Sequence, residues 1–111
     1  MCIFCKIIAG EIPSSKVYED DEVLAFRDIN PQAPTHILVI PKAHIESAAA
    51  VNAENSRLVA RCFEVIAKLI AELDLTAGAR IISNCGPDAG QTVQHLHFHL
   101  LSGKKMNETM V

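Results

Sequence analysis

The stretch Gln94-His95-Leu96-His97-Phe98-His99-Leu100-Leu101 constrains this chain more than any other. Histidine fills every second position from 95 to 99, with Leu96, Phe98 and Leu100 in between. A β-strand sends successive side chains to opposite faces, so the run predicts a strand with a row of imidazoles on one side and apolar groups on the other. A helix would scatter both sets. The apolar face then packs on a core and the imidazole face borders a site. The plainer alternative is a half-buried strand whose polar face is histidine by chance. Imidazole, however, is the side chain whose protonation, tautomer and metal affinity all matter near neutral pH, and an aligned row of them exceeds what packing needs.

The remaining segments predict what surrounds that strand. Phe4 to Ala9 is apolar and compact and is followed by Gly10, which predicts a short N-terminal helix. Lys16 to Glu19 and Val23 to Asp28 read as strands joined at Asp20-Asp21, a hairpin. Two prolines in Asp28-Ile29-Asn30-Pro31-Gln32-Ala33-Pro34 exclude helix and imply an ordered loop. Thr35 to Ile40 predicts a third strand, buried on both faces. The alanine-rich segment from Ile45 to Val51 is expected to be partly helical. The main helix follows, capped by Asn52, with Leu58, Val59, Cys62, Val65, Ile66, Leu69, Ile70 and Leu73 in one apolar stripe. Asp74 to Gly78 closes it, Ala79 to Asn84 is the fourth strand, and the histidine strand is the fifth. The expected fold is α+β, a five-stranded antiparallel sheet with helices on one face.

Length and charge narrow the partners. The 111 residues suffice for one domain, 1–111, and carry a formal net charge of −3 with half the residues hydrophobic. Lys104-Lys105 is the densest basic cluster, too little for a nucleic acid that needs many phosphate contacts. No apolar window reaches the length of a membrane span, and the N-terminus lacks the pattern of a secretory signal, so a cytoplasmic protein is expected. In a reducing compartment the pair Cys2-x-x-Cys5 points to a metal or redox site, a weak signal by itself, while Cys62 falls on the helix stripe as a small core residue.

The loop before the histidine strand, Cys85-Gly86-Pro87-Asp88-Ala89-Gly90-Gln91-Thr92, brings glycines and a hydroxyl next to the imidazoles. Glycines allow backbone N–H groups to approach an anion, and Thr92 adds a donor. Alone this is an ordinary turn; beside the histidines it suits a phosphoryl group whose phosphorus is attacked by one imidazole. The middle one, His97, is flanked on both sides, and a strand carbonyl can accept its Nδ1–H and leave Nε2 as the nucleophile. His99 would donate to the phosphate. His36 would lie beside the row if the third and fifth strands are neighbours, or be simply a satisfied, partly buried histidine. Asp28, before the proline loop, is placed to accept from two vicinal hydroxyls, or to cap a turn. Phe26 and Ile29 either wall a slot for a flat ring or fill core.

His95-Leu96-His97-Phe98-His99-Leu100-Leu101 resembles the signature of the histidine triad (HIT) nucleotide-binding family. The likeness extends through Glu19-Asp20-Asp21, Leu24-Ala25-Phe26-Arg27-Asp28-Ile29, Pro31-Gln32-Ala33-Pro34-Thr35-His36 and Gly90-Gln91-Thr92 to the branch of adenosine phosphoramidate hydrolases, and covers Phe4 to Gly103. The resemblance implies that His97 forms a nucleotidyl-histidine intermediate that water hydrolyses. It also implies that Asp28 binds the ribose, that Phe26, Ile29 and Leu38 surround the base of a purine mononucleotide, AMP or GMP, and that Asn84, Gly90, Gln91, Thr92 and His99 surround the phosphate and leaving group. Members of that branch are homodimers, and their chemistry needs no metal. In some bacterial members a structural zinc is held by a Cys-x-x-Cys pair, a histidine after a Pro-Lys-x turn and the first histidine of the triad. Here those positions are Cys2, Cys5, His44 and His95.

Three alternatives stand beside a phosphoramidate hydrolase. A dinucleoside polyphosphate hydrolase or nucleotidyl transferase would use the same residues on a different leaving group. A catalytic zinc on His95, His97 and His99 or His36 is another class, although adjacent same-face residues of one strand fit poorly around one ion. The last is a nucleotide-binding interaction module without turnover.

Overall fold

A computed structural model describes residues 2–111. Its centre is a five-stranded antiparallel sheet in the order β1-β2-β3-β5-β4, formed by β1 (Lys16–Glu19), β2 (Val23–Arg27), β3 (Thr35–Pro41), β4 (Ala79–Ile82) and β5 (Phe98–Ser102). β1 and β2 form the expected hairpin. Asp20 makes its turn by accepting the N–H groups of Glu22 and Val23 on Oδ1, and Arg61 of the main helix pairs with its other oxygen. Burial works against charge on Asp20, but these N–H groups, the Tyr18 hydroxyl and Arg61 together bring its pKa down to about 2.

The main helix, α2 (Ser56–Glu72), covers one face of the sheet. Cys62, Val65, Ile66 and Leu69 of its stripe pack on Val23, Ala25, Ile37, Val39, Phe98 and Leu100. Each such aliphatic side chain contributes about 1.5–3 kcal/mol when removed from water. Burial pushes the Cys62 thiol up to about 12, which fits a core residue rather than a reactive one. The helix begins later than expected. Asn52 caps the preceding turn instead, accepting from the N–H groups of Glu54 and Asn55, and Asn55 returns the bond to the N–H of Asn52.

The short helix α1 (Ile3–Ile8) lies on the opposite face, where Phe4 and Ile7 pack with Leu24, Phe26, Leu38 and Ile40. The helices therefore sandwich the sheet, which corrects the expectation of helices on one face. β2 and β3 are apolar at nearly every position, so both of their faces require a cover and α2 supplies only one.

The histidine run is also modified. β5 starts at Phe98, and His95 and His97 stand on the segment that leads into it, His95 at the end of a bend, rather than inside the strand. The Leu96 N–H is already taken by the Ile45 carbonyl at 2.6 Å, outside the β3–β5 ladder. From Phe98 onward the alternation holds, with Phe98 and Leu100 buried against α2 and His99 on the other face.

Candidate active site

Beneath α1 a cleft of about 290 Å³ opens on the sheet face that carries the histidines. Its floor and walls include Phe26, Asp28, Ile29, Leu38, Thr92, His97 and His99, seven of the residues singled out from the sequence. Ile29 is fully solvent-exposed and forms only the rim. Asn84, Gly90 and Gln91 do not line the cleft. The Gln91 side chain is consumed as a staple, donating to the Glu46 and Val93 carbonyls and accepting from the Gly86 N–H. The N–H groups of Ala89, Gly90 and Gln91 bond to carbonyls inside their own turn, with Gly90 in the left-handed conformation. The glycine loop is thus a self-satisfied scaffold that delivers Thr92 and Val93 to the cleft, not the open cradle of donors the sequence suggested.

The apolar wall contributed by Ile3, Phe4, Ile7, Ile12 and Val93 was not anticipated. A signal was available in the pair Ile3 and Ile7, which a helix places on one side.

The middle histidine is oriented by backbone. His97 Nδ1 lies 2.6 Å from the His95 carbonyl oxygen. A carbonyl only accepts, so Nδ1 carries a proton and Nε2 is the nitrogen left unengaged by backbone, on a ring that is 6 % exposed and borders the cleft. Phe4 holds the ring edge-on at 5.1 Å between centroids, and His99 packs against it at the same distance.

His99 is set by a chain of single donors. The Gln32 N–H donates to His36 Nδ1 at 3.0 Å, which obliges His36 to carry its proton on Nε2. That Nε2–H donates to His99 Nδ1 at 2.8 Å, so His99 in turn carries its proton on Nε2. Burial lowers the pKa of both rings: for His36 it is opposed by Asp28, and for His99 it is reinforced by His97 and His36 and reaches about 4. Both are therefore neutral at neutral pH. β3 and β5 are neighbours, with Leu38 opposite His99, which is how His36 reaches the row. Asp28 does two jobs at once. Its Oδ1 accepts the Asn30 N–H at 2.8 Å, while Oδ2 stands 3.5 Å from His36 Nε2 and its carboxylate borders the cleft.

On the far side of α1, Cys2, Cys5, His44 and His95 converge. All six separations between Cys2 Sγ, Cys5 Sγ, His44 Nδ1 and His95 Nδ1 fall between 3.2 and 3.7 Å. Bond lengths of ~2.3 Å to sulfur and ~2.0 Å to nitrogen give tetrahedron edges of roughly 3.3 Å between nitrogens, 3.5 Å between nitrogen and sulfur and 3.8 Å between sulfurs, so the nitrogen edges fit a zinc ion as they stand and the 3.2 Å sulfur pair would open by about half an ångström. The proton inventory agrees. His95 Nε2–H donates to the Pro41 carbonyl at 2.8 Å, which turns a bare Nδ1 lone pair toward the sulfurs. Burial and the adjacent Cys2 raise the Cys5 pKa, so a cation is what would let both thiols ionise together.

Residues 9–106 match the family model for the HIT domain. The chain belongs to the HIT domain family. It is 50% identical to a 14 kDa zinc-binding protein of Zea mays, across 95% of this chain and 84% of that one. Among solved structures, a HIT family hydrolase from Legionella pneumophila superposes with a TM-score of 0.94 at 47% identity, covering 97% of each chain. A histidine triad nucleotide-binding protein from Candida albicans gives 0.83 at 34% identity, covering all of this HIT protein and 87% of the other. Among the described residues, no helix of this HIT protein is long and apolar enough to cross a membrane.

Proposed function

We propose that this HIT protein hydrolyses purine nucleoside phosphoramidates, splitting AMP or GMP from an amine through a nucleotidyl-histidine intermediate. The observation that carries the proposal is the His97 Nδ1–H bond to the His95 carbonyl, which makes Nε2 the ring nitrogen free to attack at the cleft without a separate base. The substrate's base would lie among Phe4, Phe26, Leu38 and the rim residue Ile29, with the ribose hydroxyls on Asp28. Phosphorus would then sit between His97, the Thr92 hydroxyl and the Nε2–H of His99, two neutral donors placed for the charge that grows on the non-bridging oxygens. His97 Nε2 bonds to phosphorus as the P–N bond breaks, and the amine departs with the electron pair and takes a proton from solvent. Water then attacks phosphorus and gives up a proton to solvent, the bond to Nε2 breaks with its electron pair returning to the ring, and the free nucleotide leaves. Asn84, Gly90 and Gln91 would support this site through the loop rather than by touching the phosphate.

Zinc on Cys2, Cys5, His44 and His95 would be structural, since four protein donors leave no position for substrate. It would supply a crosslink between α1 and the sheet. We further propose a homodimer in the cytoplasm. In support, β4 is an edge strand, and Ile81 on it and Phe63 on α2, which packs on Phe98 of β5, are 37 % and 47 % exposed.

The test is turnover of adenosine 5′-phosphoramidate by the zinc-loaded protein, followed by acid quench and mass spectrometry. The expected result is rapid release of the amine and a mass increase of one nucleotidyl group that is lost in His97→Ala. Faster turnover of a diadenosine polyphosphate would move the assignment to polyphosphate hydrolysis or nucleotidyl transfer. Nucleotide binding unchanged by His97→Ala, with no turnover of either substrate, would make the protein a binding module.

A further inference from the structure

We propose that the Cys2-Cys5-His44-His95 centre sets the affinity of the cleft for the base of its nucleotide, because the same short helix serves both; the proposal rests on the nucleotide reading above. α1 has six residues, too few to hold a helix without outside support. Its N-cap is Cys2, whose Sγ accepts the Cys5 N–H at 3.2 Å, so a sulfur of the metal cluster closes the first turn. The residues between and beyond them, Ile3, Phe4 and Ile7, line the cleft. Metal-side and cleft-side positions therefore interleave along one turn and a half of backbone. Phe4 joins the two sites directly, packing edge-on against Phe26 at 5.6 Å, His97 at 5.1 Å and His95 at 6.0 Å.

The other two donors come from distant parts of the chain, His44 after β3 and His95 before β5. A metal on all four would fasten α1 to the sheet. Without one, apolar burial of Phe4 and Ile7 is what keeps the helix in place, while Ile3 is 49 % exposed. The groups assigned to ribose and phosphate, Asp28, Thr92, His97 and His99, do not lie on α1. The coupling consequently acts first on the base, and reaches the sugar phosphate only through His97, which bonds to the His95 carbonyl and packs on Phe4. Coupling is reciprocal: whatever factor the metal adds to nucleotide affinity, the nucleotide adds to metal affinity. Cys2 and Cys5 are in this sense positioning residues for base recognition.

Calorimetry on the full chain, zinc-loaded and after chelation, with AMP and with ribose 5-phosphate, reads the coupling without turnover. AMP is expected to bind roughly tenfold more weakly to the chelated protein, and ribose 5-phosphate to change less than about twofold. Competition with a chromogenic chelator should show zinc held more tightly by the AMP-saturated protein, by the same factor. In Phe4→Ala the metal dependence of AMP binding should vanish; the competition measurement gives an independent answer on the unaltered chain if that variant folds poorly. Equal AMP affinity in the two forms would overturn the coupling, as would an equal loss for ribose 5-phosphate, which would mean a general loosening. Zinc-loaded protein that binds neither ligand would overturn the nucleotide reading and the coupling with it.

Discussion

The two ends of the histidine row look alike by proximity and differ in chemistry. At one end Cys2, Cys5, His44 and His95 converge; at the other, Asp28, His36 and His99 do. Each group would pass as a metal site on ligand distances alone. Protons separate them. His95 spends its N–H on the Pro41 carbonyl and turns a lone pair to its neighbours, whereas His36 receives the Gln32 N–H and must offer its neighbours a proton. A metal on His36 Nε2 would need the proton moved to Nδ1, against the Gln32 N–H. The first cluster turns lone pairs inward, as a cation would require, the second relays a tautomer, and His97 lies between them.

The sharpest way to break this comparison is to remove the point of convergence. His97→Ala should lower phosphoramidate turnover by roughly 10⁴-fold or more, since neither end supplies a substitute nucleophile. Its melting temperature should stay near that of the parent, because the ring borders the cleft rather than filling the core. The next largest effect is on stability. Chelation should lower the unfolding free energy by about 3–5 kcal/mol in denaturant titrations, as loss of a tight ligand specific to the folded state requires. Cobalt should load to one equivalent with thiolate charge-transfer bands, and Asp28→Asn should leave that stoichiometry untouched. A second equivalent that disappears in Asp28→Asn would show that the two ends are not distinct.

Much of this arrangement could be seen in the residues. Short β-branched and aliphatic runs bounded by turn residues placed β1, β2 and β3, and the repeat of three and four placed α2, to within a few residues, because such patterns report burial and burial is what fixes those elements. The resemblance of the histidine run to a known family supplied the rest of the outline. What the residues did not show were facts about hydrogen bonds between distant segments. Gln91 looks like a ligand-binding residue until its amide is seen to be spent on Glu46, Val93 and Gly86. The tautomer of His99 depends on a backbone N–H at Gln32, which no side-chain pattern encodes. The position of α1 likewise depends on which sheet face is left uncovered, and its Phe4 contact with His97 follows from that rather than from any local signal.

Two smaller effects sharpen the account of the second end. His36→Ala should cost about 10–100-fold in turnover while leaving the metal content at one, because His99 loses the donor that fixes its Nδ1 as acceptor but not its place in the cleft. His36→Gln should recover part of the loss, since an amide donor can take over the bond to His99 Nδ1. The last effect is on the pH dependence of stability. His99 has its pKa lowered to about 4, so between its ordinary value of 6.5 and that figure the unfolded chain binds the proton that the folded chain refuses. Stability should be whole above about pH 6.5 and fall steadily as the pH drops toward 4. Solvent at the cleft screens the ring, which discounts the contribution to roughly 1–2 kcal/mol. Acid also strips zinc from thiolates, so the comparison must be made between chelated parent and chelated His99→Gln by urea unfolding at several pH values. The variant should show the shallower slope; equal slopes would mean that His99 is not held neutral by its surroundings and that the second end of the row carries no fixed tautomer.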